Sequence, residues 1–251
     1  MKLLNSIDWL HRIRGYELEQ IMQFLPKKKN IKILEIGSGS GYMISVLEKK
    51  FVNVKGLEIE NSAYENNNAN IIMYDGKSIP FKASSFDIIL TSHVLEHILD
   101  IDSFLNEISR VLKPKGLAIH IIPSPTWRFL TSLFHYFAIL NFIYKYLLKI
   151  DTNELNKKLK KASKLKKVKM LFFSPRHGER GNVITELYYF SKKFWIKVFI
   201  RNYYKIDTVK PSGIIYWGND TFKNSLSFKF RCILSNIVGS SSIIYVLKNE
   251  K

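Results

Sequence analysis

The hydrophobic pattern divides the chain into elements of two periods. Residues 31–36 form a short, β-branched apolar run with polar flanks, which predicts a buried strand. Met43, Ile44, Leu47 and Phe51 then fall at helical spacing, and a second strand is predicted over 52–59. Ahead of this unit Ile7, Leu10, Ile13, Tyr16, Leu18, Ile21 and Phe24 give a leading helix over 7–25, ended by Pro26 and three lysines. After a polar helix or loop at 61–68, short strands are predicted at 71–74 and 88–91. A helix over 102–112 follows, with Phe104, Leu105, Ile108, Val111 and Leu112 apolar. Lys113-Pro114-Lys115-Gly116 reads as its stop signal, and 117–122 as the next strand.

The pattern changes between 123 and 187. Residues 129–148 are apolar over nearly the length that a membrane span needs. Arg128, Thr131, Ser132, His135, Lys145 and Lys149 nevertheless fall on one side at helical spacing, so an amphipathic helix fits better than a span. Residues 145–169 then carry ten lysines and two acids, Asp151 and Glu154. An apolar face beside a lysine cluster suits a protein lying on an anionic membrane surface through 129–169. A core helix followed by a solvated linker and a nucleic-acid arm are the rival readings. Ser174-Pro175-Arg176-His177-Gly178-Glu179-Arg180-Gly181-Asn182 is a shaped polar loop, suited to substrate binding or proton removal.

Composition narrows the class. The 251 residues fit one α/β domain with an insertion, and 46% hydrophobic content is enough for a buried core. Cys232 is the only cysteine, which excludes a disulfide framework and a cysteine metal cluster. The first fifteen residues lack an apolar signal core, so a cytoplasmic location is expected, with peripheral attachment to the inner face of the membrane through 129–169. The net charge of +18 suits an anionic membrane face, an acidic substrate or nucleic acid. Abundant lysine, asparagine and isoleucine also allow a plainer account, in which many lysines are simply solvated.

The chemistry concentrates at Gly37-Ser38-Gly39-Ser40-Gly41, between the first strand and its helix. A tight turn here needs backbone angles that side chains disfavour, and the helix it opens presents free N–H groups to a polar ligand. Glu35 precedes the turn. Glu58 ends the second strand, where an acid can take both hydroxyls of a ribose. The dinucleotide spacing G-x-G-x-x-G is not met, because Tyr42 holds the third glycine's place.

With Glu35 in front, the stretch resembles the E/D-x-G-x-G-x-G motif of the class I S-adenosylmethionine-dependent methyltransferases of the type 11-like kind. Three further segments resemble that family in the right order. They are Asp75-Gly76 with Pro80-Phe81 and Ser85-Phe86-Asp87, then Ser92-His93-Val94-Leu95-Glu96-His97, and Arg110 to Gly116. The resemblance implies a three-layer doubly wound sheet of seven mostly parallel strands, with helices on both faces and a helical insertion after the fifth strand. It implies a single domain: leading helix 7–25, cofactor-binding core 31–122, insertion 123–187 and closing strands 203–247, with 203–209 and 242–247 the candidate strands and 190–200 the helix before the first of them. It also implies S-adenosylmethionine as cofactor. Glu35, Gly37, Ser38, Gly39, Gly41 and Ser92 would shape its methionine end, Glu58 with Ile59 would hold the ribose, and Asp75 with Gly76 the adenine.

His93-x-x-Glu96-His97 also spells an inverted zinc-protease string. His93 directly follows a buried strand, however, and the glycine turn has no place in such an enzyme, so no metal is expected. If the acceptor is a hydroxyl, a general base is needed, and His93, His97 and His177 are the candidates. The layout from Pro123 through the 174–182 loop is similar to methyltransferases of bacterial surface-glycan gene clusters. That similarity implies O-methylation of a sugar or glycolipid, the acceptor being a small molecule or a lipid-linked glycan. Methylation of a lipophilic quinone-type ring, a nucleic-acid methyltransferase and a non-catalytic protein keeping the fold are the alternatives. The oligomeric state is not legible.

Overall fold

The computed structural model describes residues 2–60, 62, 68, 70–148, 174–218 and 226–249. The polar segment at 61–68 and the lysine run beyond Leu148 fall largely or wholly outside them. By its contacts the chain forms two compact units. The first is Met1–Ile122 with Lys192–Ser212 and Ile243–Lys251, and the second is Pro123–Ser191 with Gly213–Ser242. The insertion expected over 123–187 is thus joined in its unit by 213–242.

The first unit is built on a seven-stranded sheet of order β3-β2-β1-β4-β5-β7-β6. Its strands are β1 (Lys32–Ile36), β2 (Asn53–Ile59), β3 (Ile71–Tyr74), β4 (Phe86–Ser92), β5 (Leu112–Pro123), β6 (Tyr204–Pro211) and β7 (Ser242–Asn249). β1 to β5 pair in parallel, and β6 runs antiparallel to β7. β1 is flanked on both sides, by β2 and β4, which is why its sequence is a continuous apolar run instead of an alternating one. Helices α1 (Lys2–Met22) and α2 (Tyr42–Leu47) join a core around Leu18, Ile33, Ile44 and Ile88. Helices α3 (Ile101–Val111) and α6 (Lys192–Arg201) join the opposite core around Leu34, Ile89, Ile108 and Phe199. This is the three-layer doubly wound arrangement that the resemblance implies.

Two details differ from the expected elements. α1 begins at Lys2, ahead of the predicted start, and α2 ends at Leu47. More informative is Lys113-Pro114-Lys115-Gly116, expected as a helix stop. α3 ends at Val111, β5 begins at once, and the four residues form a bulge within it: Phe86 pairs with Leu112 but Ile88 with Leu117. Proline has no N–H for the ladder, so a bulge is where a strand can hold it. Lys113 Nζ donates to Asp87 Oδ1 at 2.8 Å and fastens the bulge to β4.

The second unit contains α4 (Pro125–Leu147), α5 (Glu186–Tyr189) and α7 (Phe228–Val238). α7 was not predicted. Its first residues, Phe228-Lys229-Phe230-Arg231-Cys232, alternate with the period of a strand. Its start is marked by Ser227, whose hydroxyl accepts from the Phe230 N–H.

α4 is amphipathic as expected, with its apolar stripe exposed and much of its polar side turned inward. Arg128 and Thr131 are buried, whereas Phe129, Leu133, Tyr136, Phe137, Leu140, Ile143 and Tyr144 are exposed along one stripe. The polar side is turned inward because it has partners there. Arg128 Nη1 donates to Glu186 Oε2 at 3.0 Å and to the Pro175 carbonyl at 3.0 Å, and Nη2 donates to Ser132 Oγ and Ser174 Oγ. Thr131 Oγ1 accepts from the Gly218 N–H at 2.9 Å.

Candidate active site

In an open parallel sheet, ligands bind beyond the carboxyl ends of the strands where the strand order reverses. Here that point lies between β1 and β4. A cavity of about 370 Å³ opens there, lined by residues of the first unit. Of the predicted cofactor residues, Glu35, Gly37, Ser38, Gly39, Glu58, Ile59, Gly76 and Ser92 line it, as do His93 and His97.

The glycine turn is shaped as its chemistry requires. Gly37, Gly39 and Gly41 all have positive φ, 78°, 51° and 74°. A Cβ on Gly37 would also stand 2.3 Å from a methyl of Val94, so the turn and the corner after β4 touch through the missing side chain. Gly41 opens α2, and its N–H donates to the Ser38 carbonyl at 2.8 Å. Glu58 Oε2 accepts from the Gly39 N–H at 2.5 Å, which ties the end of β2 to the turn. Glu58 Oε1 accepts from the Ile59 N–H at 3.1 Å, and since a carboxylate has about four lone-pair directions, the two bonds leave capacity for a pair of ribose hydroxyls.

Glu35 is 2% exposed, and its Oε2 has no hydrogen-bond partner. Burial pushes its carboxyl up to about 8, against the pull of the Arg14 guanidinium and with a further push from Glu58. The Ser92 hydroxyl is likewise buried without a partner. An unsatisfied carboxyl oxygen and hydroxyl in one cavity call for a ligand with a cationic donor. The methionine portion of S-adenosylmethionine carries an ammonium group, and the residues present fit it. Asp75 lies at the end of β3, outside the cavity lining, and its Oδ1 accepts from the Lys77 and Ser78 N–H groups at 2.8 and 3.0 Å. Those bonds hold its carboxyl below the usual range. Tyr74 beside it lines the cavity, its phenol pushed up to about 12 by burial and then by Glu58 and Asp75.

The leading helix adds residues that the sequence reading missed. Leu10, His11 and Arg14 of α1 line the cavity. His11 stacks on Tyr42 with ring centroids 4.4 Å apart, and its Nε2 lies 2.9 Å from Ser40 Oγ, so α1 is fastened to the glycine turn. Their signal is polar residues at positions 11, 14 and 17 of a helix whose Ile13, Leu18 and Ile21 are core.

The three candidate bases stand differently. His93 is nearly buried at the end of β4, with a left-handed backbone (φ 56°) fixed by its N–H donating to the Ile121 carbonyl at 2.8 Å. Burial, with Arg14 adding, holds its imidazole below the usual range, while Glu17 and Glu96 oppose that shift. His97 is 40% exposed in the short turn Leu95–His97, its Nε2 3.8 Å from Glu96 Oε1. His177 belongs to the second unit, where its ring packs against Trp127 at 4.4 Å and edge-on to Phe190. The His177 and Gly178 N–H groups both donate to Glu186 Oε1 at 2.8 Å, so the 174–182 loop is held by the same buried carboxylate that pairs with Arg128.

Comparison with known proteins places this chain in a family. The sequence model described as "Methyltransferase domain" matches residues 9–186. A ubiquinone biosynthesis O-methyltransferase of Bartonella tribocorum is 28% identical over 108 residues, covering 39% of this chain and 44% of that one. The chain spans less than half the length of the curated relatives it matches. Among solved structures, an S-adenosylmethionine-dependent methyltransferase from Listeria monocytogenes, titled as putative, superposes with a TM-score of 0.54 at 12% identity over 94% of this chain and 98% of that one. Geranyl diphosphate C-methyltransferase of Streptomyces coelicolor A3(2), in complex with Mg2+, geranyl diphosphate and S-adenosyl-L-homocysteine, gives 0.52 at 12% identity over 96% and 80%. At such identity the structures speak for the fold alone. The family match over most of the chain, on this fold, decides the rest: the chain belongs to the methyltransferase domain family, with the class I S-adenosylmethionine-dependent architecture.

Proposed function

We propose that this protein transfers the methyl group of S-adenosylmethionine to a hydroxyl of a lipid-borne acceptor, a sugar or glycolipid of the cell envelope. The observation that carries methyl transfer is the cavity at the β1/β4 reversal, with Glu58 tied to the glycine turn and Glu35 Oε2 buried without a hydrogen bond. Glu35 and Ser92 would hold the methionine end, Glu58 the ribose, and Gly76 with Tyr74 the adenine side. S-adenosylmethionine would supply the methyl group to the acceptor oxygen, its sulfur being a good leaving group because it departs as a neutral thioether. The hydroxyl proton passes to a base, for which His93, His97 and His177 are proposed. Holding acceptor, methyl and sulfur in line is the protein's larger contribution.

Calorimetry with S-adenosylmethionine tests the cofactor. Glu58→Ala is expected to weaken binding by about 1.5–3 kcal/mol, the worth of hydrogen bonds to a charged group. Wild-type protein with no measurable affinity would end the reading. Mass spectrometry of surface glycans and lipids, with and without the gene, tests the acceptor by looking for a missing methyl group. A methyl missing from a quinone instead would favour the second acceptor class, a lipophilic ring, which the ubiquinone-pathway relative supports. Nucleic acid is the third class and rests only on the charge of +18.

A lipid-borne acceptor implies a place at the membrane, on its inner face. Among the described residues no helix is long and apolar enough to cross one. The exposed stripe of α4, followed in sequence by the lysine run, supports attachment to an anionic leaflet. The protein is expected to sediment with vesicles containing anionic lipid and much less with neutral ones. Salt should release part of it, since charge attraction is screened over about 8 Å at physiological ionic strength. Leu133, Phe137 and Leu140 changed together to serine should remove the salt-resistant part. Phe134 is a poor choice for this test because it stacks on Trp217 at 4.1 Å. Wild type that ignores anionic vesicles would refute the attachment.

A further inference from the structure

We propose that Glu17, carried by the leading helix, is the positioning residue for His93, so that the basic nitrogen of the site is assembled only when α1 is seated on the cavity. Glu17 is fully buried in α1, beside the core residue Leu18. A buried carboxylate needs compensation, and two groups supply it. Arg14 Nη1 donates to Glu17 Oε2 at 2.6 Å, and His93 Nε2 stands 3.5 Å from Glu17 Oε1. Arg14 and His93 both line the cavity, so the carboxylate stands behind them.

The other side of the ring faces a second acid. His93 Nδ1 lies 3.7 Å from Glu96 Oε1. Burial favours the neutral imidazole, which has a single N–H to place between two carboxylates. Glu17 is the nearer, and it opposes the burial shift by a hydrogen bond as well as by charge, whereas Glu96 opposes it by charge alone. The N–H therefore sits on Nε2, directed at Glu17, and Nδ1 keeps the lone pair. A non-glycine residue at φ 56° is costly and persists only where the surroundings hold it, which here aims the ring between the two acids.

In methyl transfer, the hydroxyl proton released as the C–O bond forms would be taken by Nδ1. The resulting imidazolium, with protons on both nitrogens, is stabilised by Glu17. The proton then leaves to water with the product. Glu17 comes from the helix that is also fastened to the glycine turn by His11, so one helix both borders the cofactor cavity and holds the base. The role in turnover rests on the proposed methyl transfer, but the tautomer can be read without an acceptor.

The full chain, labelled with 15N-histidine and saturated with S-adenosylhomocysteine, would be examined by long-range proton–nitrogen correlation at neutral pH. His93 is assigned by the signal lost in His93→Gln. In wild type the Nε2–H tautomer is expected to exceed the other by about tenfold or more, the bias that a hydrogen bond to a charged group confers. In Glu17→Gln, which keeps the shape and removes the charge, the ratio should fall to within about threefold. Calorimetry with S-adenosylhomocysteine reports whether that variant is folded. Wild type with its proton on Nδ1, or a ratio unchanged in folded Glu17→Gln, overturns the proposal, and the first of these needs no variant. A His93→Ala enzyme at full turnover would instead remove His93 from the reaction, leaving the tautomer result as it stands.

Discussion

Replacing Glu186 with glutamine will destabilise the second unit by about 3–5 kcal/mol, the usual cost of removing one partner from a buried ion pair. Arg128 and Glu186 have side chains 1% and 0% exposed and meet at 3.0 Å. Burial lowers the affinity of Arg128 for its proton, and the Glu186 charge restores part of it. Glu186 also accepts the N–H groups of His177 and Gly178. Glutamine offers one acceptor oxygen. If it serves the two amides, its NH2 faces the Arg128 guanidinium, donor against donor, and the guanidinium stays buried without a counter-charge. The 174–182 loop should therefore come loose from α5. Hydrogen exchange of the His177 and Gly178 amides reads this directly, with protection expected to fall by about a hundredfold or more. A loss below tenfold would show that the loop is held by other contacts, such as the packing of His177 on Trp127.

The same pair shows where sequence reading stops. Helical spacing groups Arg128, Thr131 and Ser132 on one side of α4, and a polar side is ordinarily the wet one. Their partners are far along the chain: Ser174 is 46 residues from Arg128, Glu186 is 58, and Gly218 is 87 from Thr131. Periodicity records only that a face is polar, not that a distant segment supplies its counterparts. Glu17 and Arg14 were missed for the same reason, since a buried charge on a helix looks like a solvated one until its partner is known. The glycine turn was legible because its requirements are local. Positive φ at Gly37, Gly39 and Gly41, and an acid at the end of the next strand, are properties of thirty consecutive residues. The first five strands followed from the apolar runs, and the last two from the resemblance to the family. The bulge at 113–116 did not, because a Lys-Pro-Lys-Gly segment is as good a helix stop as a strand irregularity.

Binding of S-adenosylmethionine should release a proton near neutral pH, and Glu35 is the source. Its carboxyl is pushed up to about 8 by burial, so in the ligand-free chain at pH 7 it is largely protonated. A cofactor ammonium beside it favours the carboxylate, and the proton must go to buffer. Calorimetry in buffers of different ionisation enthalpy should find about 0.9 proton released per cofactor at pH 7, and affinity rising by up to tenfold per pH unit until it levels near pH 8. Glu35→Gln should remove the proton release and flatten the profile. Stability of the ligand-free chain moves the other way. The native state holds this proton more tightly than the unfolded state, whose carboxyl titrates near 4.5. The Glu35 contribution is therefore fully present below pH 4.5, declines as pH rises, and is lost above about 8, the total change being on the order of 5 kcal/mol. Glu35→Gln should abolish that decline. A wild-type affinity that does not vary between pH 6 and 8, with no proton released, would show that Glu35 is not the group that meets the cofactor's charge.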